Sequence, residues 1–224
     1  MRGYGGDRWD LVIFDCDGVL VDSESISCRT FVGMLAELGV VMSAEEAAAR
    51  FFGSPSPDYR VIVAEILGDR TPPTFFTELR QRSQAAYRTE LRLVPGVLEA
   101  LERITIPMCV ASGGSHEKLQ LTLGMTGLLA RFEGRIFSAR EVPRGKPAPD
   151  VFLHAAERMG VAPARCAVVE DSCVGVQAGV AAGMTVFAYA ALASPAALTA
   201  AGAHVFRDMR ALPALLGLTG TDSA

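Results

Sequence analysis

Six short apolar segments constrain the fold more than any other feature of this sequence. Each segment is bounded by Gly, Pro, Asp or Ser. They are residues 10–15, 107–112, 134–139, 166–171, 185–190 and 203–208. Most are apolar throughout and do not alternate with polar residues, which is typical of strands covered on both faces. Helical patterns separate them, as in residues 149–160 and 194–202, where Pro lies at the start and Gly at the end. Strands alternating with helices predict an α/β protein with a mostly parallel sheet.

The spacing of the first two strand segments predicts an inserted subdomain. About 90 residues separate them, whereas the crossover between parallel strands needs only about a dozen. Residues 24–91 have helical patterns, including an apolar stripe and a capping box from Ser43 to Glu46. The stripe consists of Phe31, Met34, Leu35 and Leu38. We therefore expect an α/β core of residues 1–23 and 92–224 that carries an all-helical cap of residues 24–91.

Composition and charge exclude several classes of function. The 224 residues carry a net charge of −4, and the 21 basic residues form no dense block, so no nucleic-acid partner is expected. The first ten residues contain no apolar signal-peptide region, and no apolar run reaches about 18 residues, so neither secretion nor a membrane span is expected. Five scattered cysteines argue against a disulfide framework or a zinc site. A cytoplasmic protein is predicted, and no oligomer is implied.

Polar side chains follow several predicted strands at the point where each strand ends. Asp15 ends the first segment, and Asp17 lies in the turn after it. Ser112 ends the second segment and is followed by Gly113, Lys146 follows the third, and Glu170 and Asp171 end the fourth. In open parallel sheets, ligands bind beyond the carboxyl ends of the strands. We therefore expect these side chains to form one site.

The charges of this set predict a metal ion. Two carboxylates about 4 Å apart repel by about 4 kcal/mol at an effective dielectric constant of about 20, so four of them would exclude a phosphate dianion. Mg²⁺ prefers carboxylate and phosphate oxygens and would bridge them. Lys146 would neutralise a further charge, and Ser112 with the amides of Gly113 and Gly114 would hold phosphoryl oxygens.

Four sequence motifs resemble those of the haloacid dehalogenase superfamily. They are DCDGV (15–19), VASGG (110–114), GKPAPD (145–150) and VVEDS (168–172), in this order. The helical insertion resembles the cap of that family, and residues 95–97 resemble the return into its Rossmann-like core. The sequence is most similar to the sugar-phosphatase and β-phosphoglucomutase-like branch, and residues 106–114 resemble bacterial 6-phosphogluconate phosphatase-like members.

The resemblance implies a role for each residue. Asp15 would be the nucleophile that forms an aspartyl-phosphate, and Asp17 would protonate the leaving group and then activate water. Ser112, Gly113 and Lys146 would bind the phosphoryl group. The implied Mg²⁺ ligands are Asp15, Asp17, Glu170 and Asp171, with Glu170 either a direct ligand or a support beside Asp171. We expect a Mg²⁺-dependent phosphatase for a small phosphorylated metabolite, a sugar or sugar-acid phosphate.

Two alternatives remain open at this point. A phosphosugar mutase of the β-phosphoglucomutase type would carry His and Arg where this chain has Ser27 and, if Gly53 is the hinge glycine, Ser56. A non-enzymatic phospho-acceptor domain would use a comparable acid, hydroxyl and lysine set, but such domains are shorter and lack the insertion.

Several other residues carry weaker expectations. The arginines near the end of the insertion form a solvated helix face, or one of them binds a substrate carboxylate. They are Arg80, Arg82, Arg88 and Arg92. Asp22 and Glu24 are expected to support the loop after the first strand, Cys16 to face away from the site, and the three histidines to be structural or exposed.

Overall fold

The core of the molecule is a parallel sheet covered by helices on both faces. A computed structural model describes residues 9–43, 46–47 and 59–218. Six strands lie in this described part: β1 (Leu11–Phe14), β2 (Met108–Ser112), β3 (Ile136–Ser138), β4 (Cys166–Glu170), β5 (Thr185–Tyr189) and β6 (His204–Phe206). Their order is β3-β2-β1-β4-β5-β6, and every neighbouring pair is parallel. All six predicted strands are confirmed.

The described residues also form helices, which follow the predicted pattern. Those of the insertion are α1 (Ser23–Glu37), α2 (Tyr59–Leu67) and α3 (Phe75–Glu90). Those of the core are α4 (Val97–Arg103), α5 (His116–Met125), α6 (Asp150–Met159), α7 (Cys173–Ala181), α8 (Pro195–Ala200) and α9 (Leu212–Leu215). Pro149 stands at the N-cap of α6, one position before the helix, and Gly160 ends it with a φ of 70°. Within the described ranges, none of the helices combines the length and apolar character needed to cross a bilayer.

The two faces of the sheet bury different side chains of the same strands. In β1, Val12 and Phe14 pack on one face with α4, α5 and α9, whereas Leu11 and Ile13 pack on the other with α6, α7 and α8. All four side chains are fully buried. This two-sided burial explains why the strand sequences are apolar throughout and do not alternate.

The insertion has an apolar core of its own. Phe31 and Leu35 of α1 are buried against α2 and α3, and the rings of Phe31 and Phe75 meet edge to face with centroids 5.9 Å apart. The predicted capping box is confirmed, because Glu46 N–H donates to Ser43 Oγ and Ser43 N–H donates to the Glu46 carboxylate. The positions Gly53 and Ser56 lie outside the described residues. The exact boundaries of the cap stay a prediction.

The chain enters and leaves the insertion through adjacent segments. Asp22 N–H donates to the carbonyl of Arg92 over 3.0 Å, and Val94 N–H donates to the carbonyl of Leu20 over 3.0 Å. The helices of the insertion are therefore attached directly beside the carboxyl end of β1.

The strand order places a crevice at that same end. From β1 the chain builds β2 and β3 on one side, and it then crosses to β4 on the other side of β1. The connections that leave β1 and β4 therefore run in opposite directions along the sheet. Open α/β sheets bind ligands in the crevice that such a change of direction leaves at the carboxyl ends of the strands.

Close packing of α7 on the sheet generates a stability prediction. A methyl group at Gly179 would lie 2.6 Å from Cγ2 of Val186, so Gly179→Ala must displace a buried strand residue. We expect the free energy of unfolding to fall by about 1–3 kcal/mol. Gly33 in α1 has no atom within 4 Å of the same position. Gly33→Ala should therefore stabilise the protein by about 0.5–1 kcal/mol through helix propensity.

Urea unfolding of the two variants and the wild type measures both effects. Equal stability of Gly179→Ala and the wild type would contradict the close approach of α7 to the sheet.

Candidate active site

The predicted site residues lie together at the carboxyl ends of the strands. Asp15 follows β1, Ser112 ends β2, and Glu170 ends β4, next to Asp171. They surround a cavity of about 350 Å³. Its lining consists of Asp15, Asp17, Ser23, Glu24, Ser27, Ser112, Gly113, Gly114, Lys118, Lys146, Glu170, Asp171 and Ser172. The structure therefore brings together every side chain that the sequence assigned to the site.

Lys146 connects two of the carboxylates. Its Nζ lies 2.6 Å from Oδ1 of Asp15 and 2.6 Å from Oε1 of Glu170. Both acids are buried, and the lysine side chain is only 10% exposed. Burial opposes the charge of the lysine, but the two carboxylates outweigh that effect and hold the pKa of Lys146 above its ordinary value. A permanent positive charge therefore lies beside Asp15.

Glu170 has hydrogen bonds to both of its oxygens. Oε1 accepts from Lys146, and Oε2 accepts from the backbone N–H groups of Asp171 and Ser172 at 2.9 and 3.0 Å and from the Ser172 hydroxyl. Burial alone would raise its pKa, but Lys146 and these donors hold the pKa of Glu170 below its ordinary value. A methyl group at Gly175 would lie 1.8 Å from Oε1, so only glycine leaves room for this carboxylate.

Asp17 is paired with a lysine that the sequence reasoning missed. Oδ1 of Asp17 lies 2.7 Å from Nζ of Lys118 and also accepts a hydrogen bond from the Ser23 hydroxyl. Burial opposes ionisation, but Lys118 and Ser23 hold the pKa of Asp17 below its ordinary value. Lys118 lies in the first turn of α5, where its backbone N–H donates a hydrogen bond to the hydroxyl of Ser115, the N-cap residue. This place, directly after the Ser112 loop, is the signal that could have identified it.

Three carboxyls of the site have pKa values above their ordinary range. Burial raises the pKa of Asp15 to about 7, although Lys146 opposes this change. Burial and the charge of Asp17 raise the pKa of Glu24 to about 8. Burial and the facing Glu24 also raise the pKa of Asp171 well above its ordinary value. Asp171 and Glu24 can form a hydrogen bond with each other only if one of them is protonated. The expectation that Glu24 merely supports the loop is incomplete, because its carboxyl lines the cavity.

A divalent cation fits this imbalance of charge. In the described lining, five carboxylates face two ammonium groups, and Oε2 of Glu24 is buried with no donor among the described residues. Hard oxygen donors of this kind are the ligands that Mg²⁺ prefers. No group of three or more His, Cys, Asp or Glu side chains in the described part is already arranged to hold a metal ion. Lys146 and Lys118 instead occupy oxygens of Asp15, Glu170 and Asp17.

The loop after β2 forms the opposite wall of the cavity. Ser112 is buried, and its hydroxyl accepts a hydrogen bond from Gly114 N–H at 3.2 Å. The Ser138 hydroxyl, at the end of β3, donates to the carbonyl of Gly114 at 2.6 Å. The loop is therefore fixed from both sides, while Gly113 stays exposed beside the cavity.

A second cavity of about 740 Å³ adjoins the first and lies between the insertion and the core. Both cavities are lined by Ser27, Gly113, Gly114 and Lys118. The second is also lined by Phe31, Phe76, Thr77, Leu79, Arg80, Gln81, Ser83, Gln84, Tyr87, Ser115, Glu117 and Arg140. The two together form one continuous crevice, of which the carboxylates line the inner end.

Cys16 and two of the histidines lie outside the described lining of both cavities. Cys16 is buried, with Sγ 3.8 Å from the hydroxyl of Thr122, in agreement with the expectation that it faces away. His116 and His154 both face Glu141, at 3.1 and 3.9 Å.

The buried lysine generates a pH-dependent prediction. In Lys146→Met, Asp15 and Glu170 lose their cation, so the pKa of Asp15 rises further and the pKa of Glu170 rises above the value near 4 of the unfolded chain. Stability should therefore fall more steeply than in the wild type as the pH rises from about 5 to about 8. We expect the loss relative to wild type to reach about 3–5 kcal/mol at pH 8 and to be smaller at pH 5.

Urea unfolding in EDTA at both pH values measures this loss. The control is Arg144→Ala, which removes a guanidinium that is 71% exposed. A loss that does not depend on pH would contradict the pairing of Lys146 with the two carboxylates.

Comparisons with known proteins agree with this geometry. Residues 9–183 match the model of the haloacid dehalogenase-like hydrolase family. The 6-phosphogluconate phosphatase of Escherichia coli (strain K12) is 35% identical over 223 residues, which cover 96% of this chain and 98% of that protein.

Two solved structures share the fold over nearly the whole chain. A haloacid dehalogenase-like protein of unknown function from Agrobacterium tumefaciens C58 is 36% identical, with a TM-score of 0.85 over 93% of this chain and 97% of that one. A family hydrolase from Deinococcus radiodurans R1, with bound phosphate and sodium, is 34% identical, with a TM-score of 0.77 over 95% and 98%. The resemblance inferred from four motifs is thus confirmed, and the chain belongs to the haloacid dehalogenase-like hydrolase family, as an enzyme of its phosphatase branch.

Proposed function

We propose that this enzyme is a Mg²⁺-dependent phosphatase that hydrolyses a sugar or sugar-acid phosphate through an aspartyl-phosphate on Asp15. The observation that carries the proposal is the position of Lys146, whose ammonium lies 2.6 Å from Asp15 in a cavity that Ser112 also lines. Phosphoryl transfer through a covalent intermediate requires a nucleophilic oxygen, a fixed positive charge and hydrogen-bond donors around one cavity. Asp15, Lys146 and the loop of Ser112 supply these groups. The similarity to a 6-phosphogluconate phosphatase supports the substrate class.

In the first step, an oxygen of Asp15 attacks phosphorus while the bond from phosphorus to the leaving alkoxide breaks. Lys146 and the loop of Ser112 and Gly113 hold the phosphoryl oxygens and balance their charge. Asp17 gives a proton to the leaving oxygen, so the product departs as a neutral alcohol. Asp15 then carries the phosphoryl group.

In the second step, Asp17 takes a proton from water, and the water oxygen attacks phosphorus. The bond between phosphorus and Asp15 breaks, which releases inorganic phosphate and restores the carboxylate. The ion pair between Asp17 and Lys118 favours this base form. An incoming phosphoryl group competes for the ammonium of Lys118, which would weaken the pair and let Asp17 take up the proton that it donates in the first step.

Mg²⁺ would be held by Asp15, the backbone carbonyl of Asp17, and Asp171. When bound, it would neutralise carboxylate and phosphoryl charge in the cavity. Both oxygens of Glu170 already accept hydrogen bonds, so we assign Glu170 to holding Lys146 and the Asp171 loop in place, without direct ligation.

The leaving group would occupy the second cavity, between the insertion and the core. Its volume of about 740 Å³ is within the usual range for small-molecule sites. Closure of the helical cap over this crevice would exclude bulk water during the first step.

The mutase alternative is disfavoured by the contacts of Ser27. Its hydroxyl is 2.6 Å from the Tyr87 hydroxyl, so this position holds a neutral hydroxyl pair where the resemblance implies a histidine in the mutases. A hexose 1-phosphate substrate separates the two activities, since a mutase would yield an isomerised phosphate and a phosphatase would yield free phosphate.

The nucleophile generates the first activity prediction. Asp15→Asn should lower the rate of phosphate release by about a thousandfold or more, because the amide cannot attack phosphorus. The control is Asp10→Asn, which changes an exposed acid next to the opposite end of β1. Phosphate release from a panel of sugar phosphates with Mg²⁺ measures both variants, and full activity of Asp15→Asn would exclude the proposed mechanism.

The excess of carboxylates generates a binding prediction. Mg²⁺ should raise the melting temperature of the wild type, because binding to the folded chain alone stabilises it by about 2.7 kcal/mol at a hundredfold excess over Kd. Asp171→Asn should lose most of this increase, whereas Glu99→Gln, at an exposed position of α4, should keep it. Thermal unfolding with EDTA and with Mg²⁺ provides the comparison. An unchanged increase in Asp171→Asn would rule out Asp171 as a ligand.

A further inference from the structure

We propose that Arg80 and Arg140 together bind a carboxylate at the far end of the substrate, so that the preferred substrates are phosphorylated sugar acids. This inference rests on the proposed phosphatase function and specifies its substrate class. It assigns a role to two residues, one from the insertion and one from the core, that line the outer cavity.

The crevice has the layout that a two-ended substrate requires. The inner cavity holds the carboxylates and Lys146, and the outer cavity continues from it past Ser27, Gly113 and Lys118. A phosphoryl group at Asp15 therefore directs the rest of the molecule towards the outer cavity. The described wall there combines apolar side chains with hydroxyl and amide groups, which suits a polyol chain. These wall residues are Phe31, Phe76, Leu79, Ser83, Gln84 and Tyr87.

Of the four arginines near the end of the insertion, one lines the outer cavity. Arg82 pairs with Glu37 at 2.6 Å, and Arg92 donates to the carbonyl of Leu91 at 2.8 Å. Arg88 is exposed and does not belong to the described lining of the outer cavity. Arg80, on the same helix α3, does line that cavity. The sequence hypothesis that one of these arginines binds a substrate carboxylate therefore applies to Arg80.

Arg140 enters the same cavity from the core. It lies in the short turn after β3, where its backbone N–H donates to the Ser138 hydroxyl at 3.1 Å. The Glu141 carboxylate accepts from Ser138 N–H at 2.6 Å and completes a capping box, which fixes the turn. The backbone of Arg140 is therefore held in place, while its exposed side chain lines the cavity.

Apart from Lys118, the charged side chains of the outer cavity sum to one positive charge, which would balance one negative charge on a substrate. Neither guanidinium has an ion pair in the part of the chain that the structure describes, and Lys118 is already paired with Asp17. Glu117 is the acidic residue of the described lining and offsets one of the two arginines. One net positive charge remains, which suits a carboxylate better than the dianion of a second phosphate. The planar guanidinium group also forms two parallel hydrogen bonds with a carboxylate.

Two open-chain probes isolate the carboxylate. Sorbitol 6-phosphate and 6-phosphogluconate differ only at the end opposite the phosphate, where one has a hydroxymethyl group and the other a carboxylate. We expect kcat/KM of the wild type to favour 6-phosphogluconate by about tenfold or more, which is the effect of charge-assisted hydrogen bonds that solvent partly screens.

Variants assign this preference to the two arginines. In Arg80→Ala and in Arg140→Ala, the loss on 6-phosphogluconate should exceed the loss on sorbitol 6-phosphate by about threefold to tenfold, and the double variant should show almost no preference. Arg80→Lys should recover part of the preference, since it keeps the charge but not the planar group. Arg88→Ala, on the same helix outside the cavity lining, is the matched control and should keep the wild-type ratio.

The outcomes distinguish this inference from the function on which it rests. Hydrolysis of both probes with no preference, or a preference that both alanine variants retain, would overturn the role of the arginines but not the phosphatase. Failure to release phosphate from any sugar phosphate would overturn the proposed function. In that case, calorimetry of both probes binding to Asp15→Asn still tests the arginines. Equal affinity for the two probes would contradict their role, and tighter binding of 6-phosphogluconate would support it.

Discussion

The ion pairs of Lys146 with Asp15 and Glu170 are the interaction on which the rest of the site depends. One ammonium group 2.6 Å from each carboxylate permits two acids to be buried side by side at the carboxyl ends of β1 and β4. Glu170 in turn holds the backbone of Asp171 and Ser172, and Gly175 leaves the space that this carboxylate occupies. The positions of Asp15, Glu170 and Asp171 in the cavity thus depend on the same set of contacts.

The remaining acids support the proposal that the site binds a divalent cation. Burial raises the pKa values of Asp15, Glu24 and Asp171, and neighbouring carboxylates add to this effect. The two lysines of the cavity are paired with Asp15, Asp17 and Glu170, and not with Glu24 or Asp171. A cavity of this kind binds a divalent cation and phosphate more readily than phosphate alone. The helices of the insertion attach beside this cavity, so the residues that contact the leaving group come from both the insertion and the core.

Much of the fold and the central site could be predicted from the sequence, since both depend on local patterns. Apolar runs that end in Asp15, Ser112 and Glu170 identify strands, and parallel strands bring their ends to one edge. Lys118 and Glu24 were missed as cavity residues because each is a single charged residue in a helix. Their sequence signal is weak, since it consists only of a place in the first turn of a helix that follows a loop of the site.

Contacts between segments distant in sequence could not be predicted. Arg80 and Arg82 are two arginines of the same helix, and their sequence gives no reason to assign them different roles. In the structure, Arg82 pairs with Glu37 of α1, whereas Arg80 lines the outer cavity. The strand order also depends on which crossovers pack best, and the apolar runs do not contain that information.

The central claim is that the phosphoryl group of the substrate binds between Asp15, Lys146 and the Ser112 loop. A crystal structure with Mg²⁺ and beryllium fluoride, a mimic of a phosphoryl group, tests it most directly. We predict beryllium bonded to a carboxylate oxygen of Asp15, with Nζ of Lys146 and the hydroxyl of Ser112 within about 3 Å of fluorine atoms. Fluoride density attached to another residue, with Asp15 still paired only with Lys146, would contradict the account.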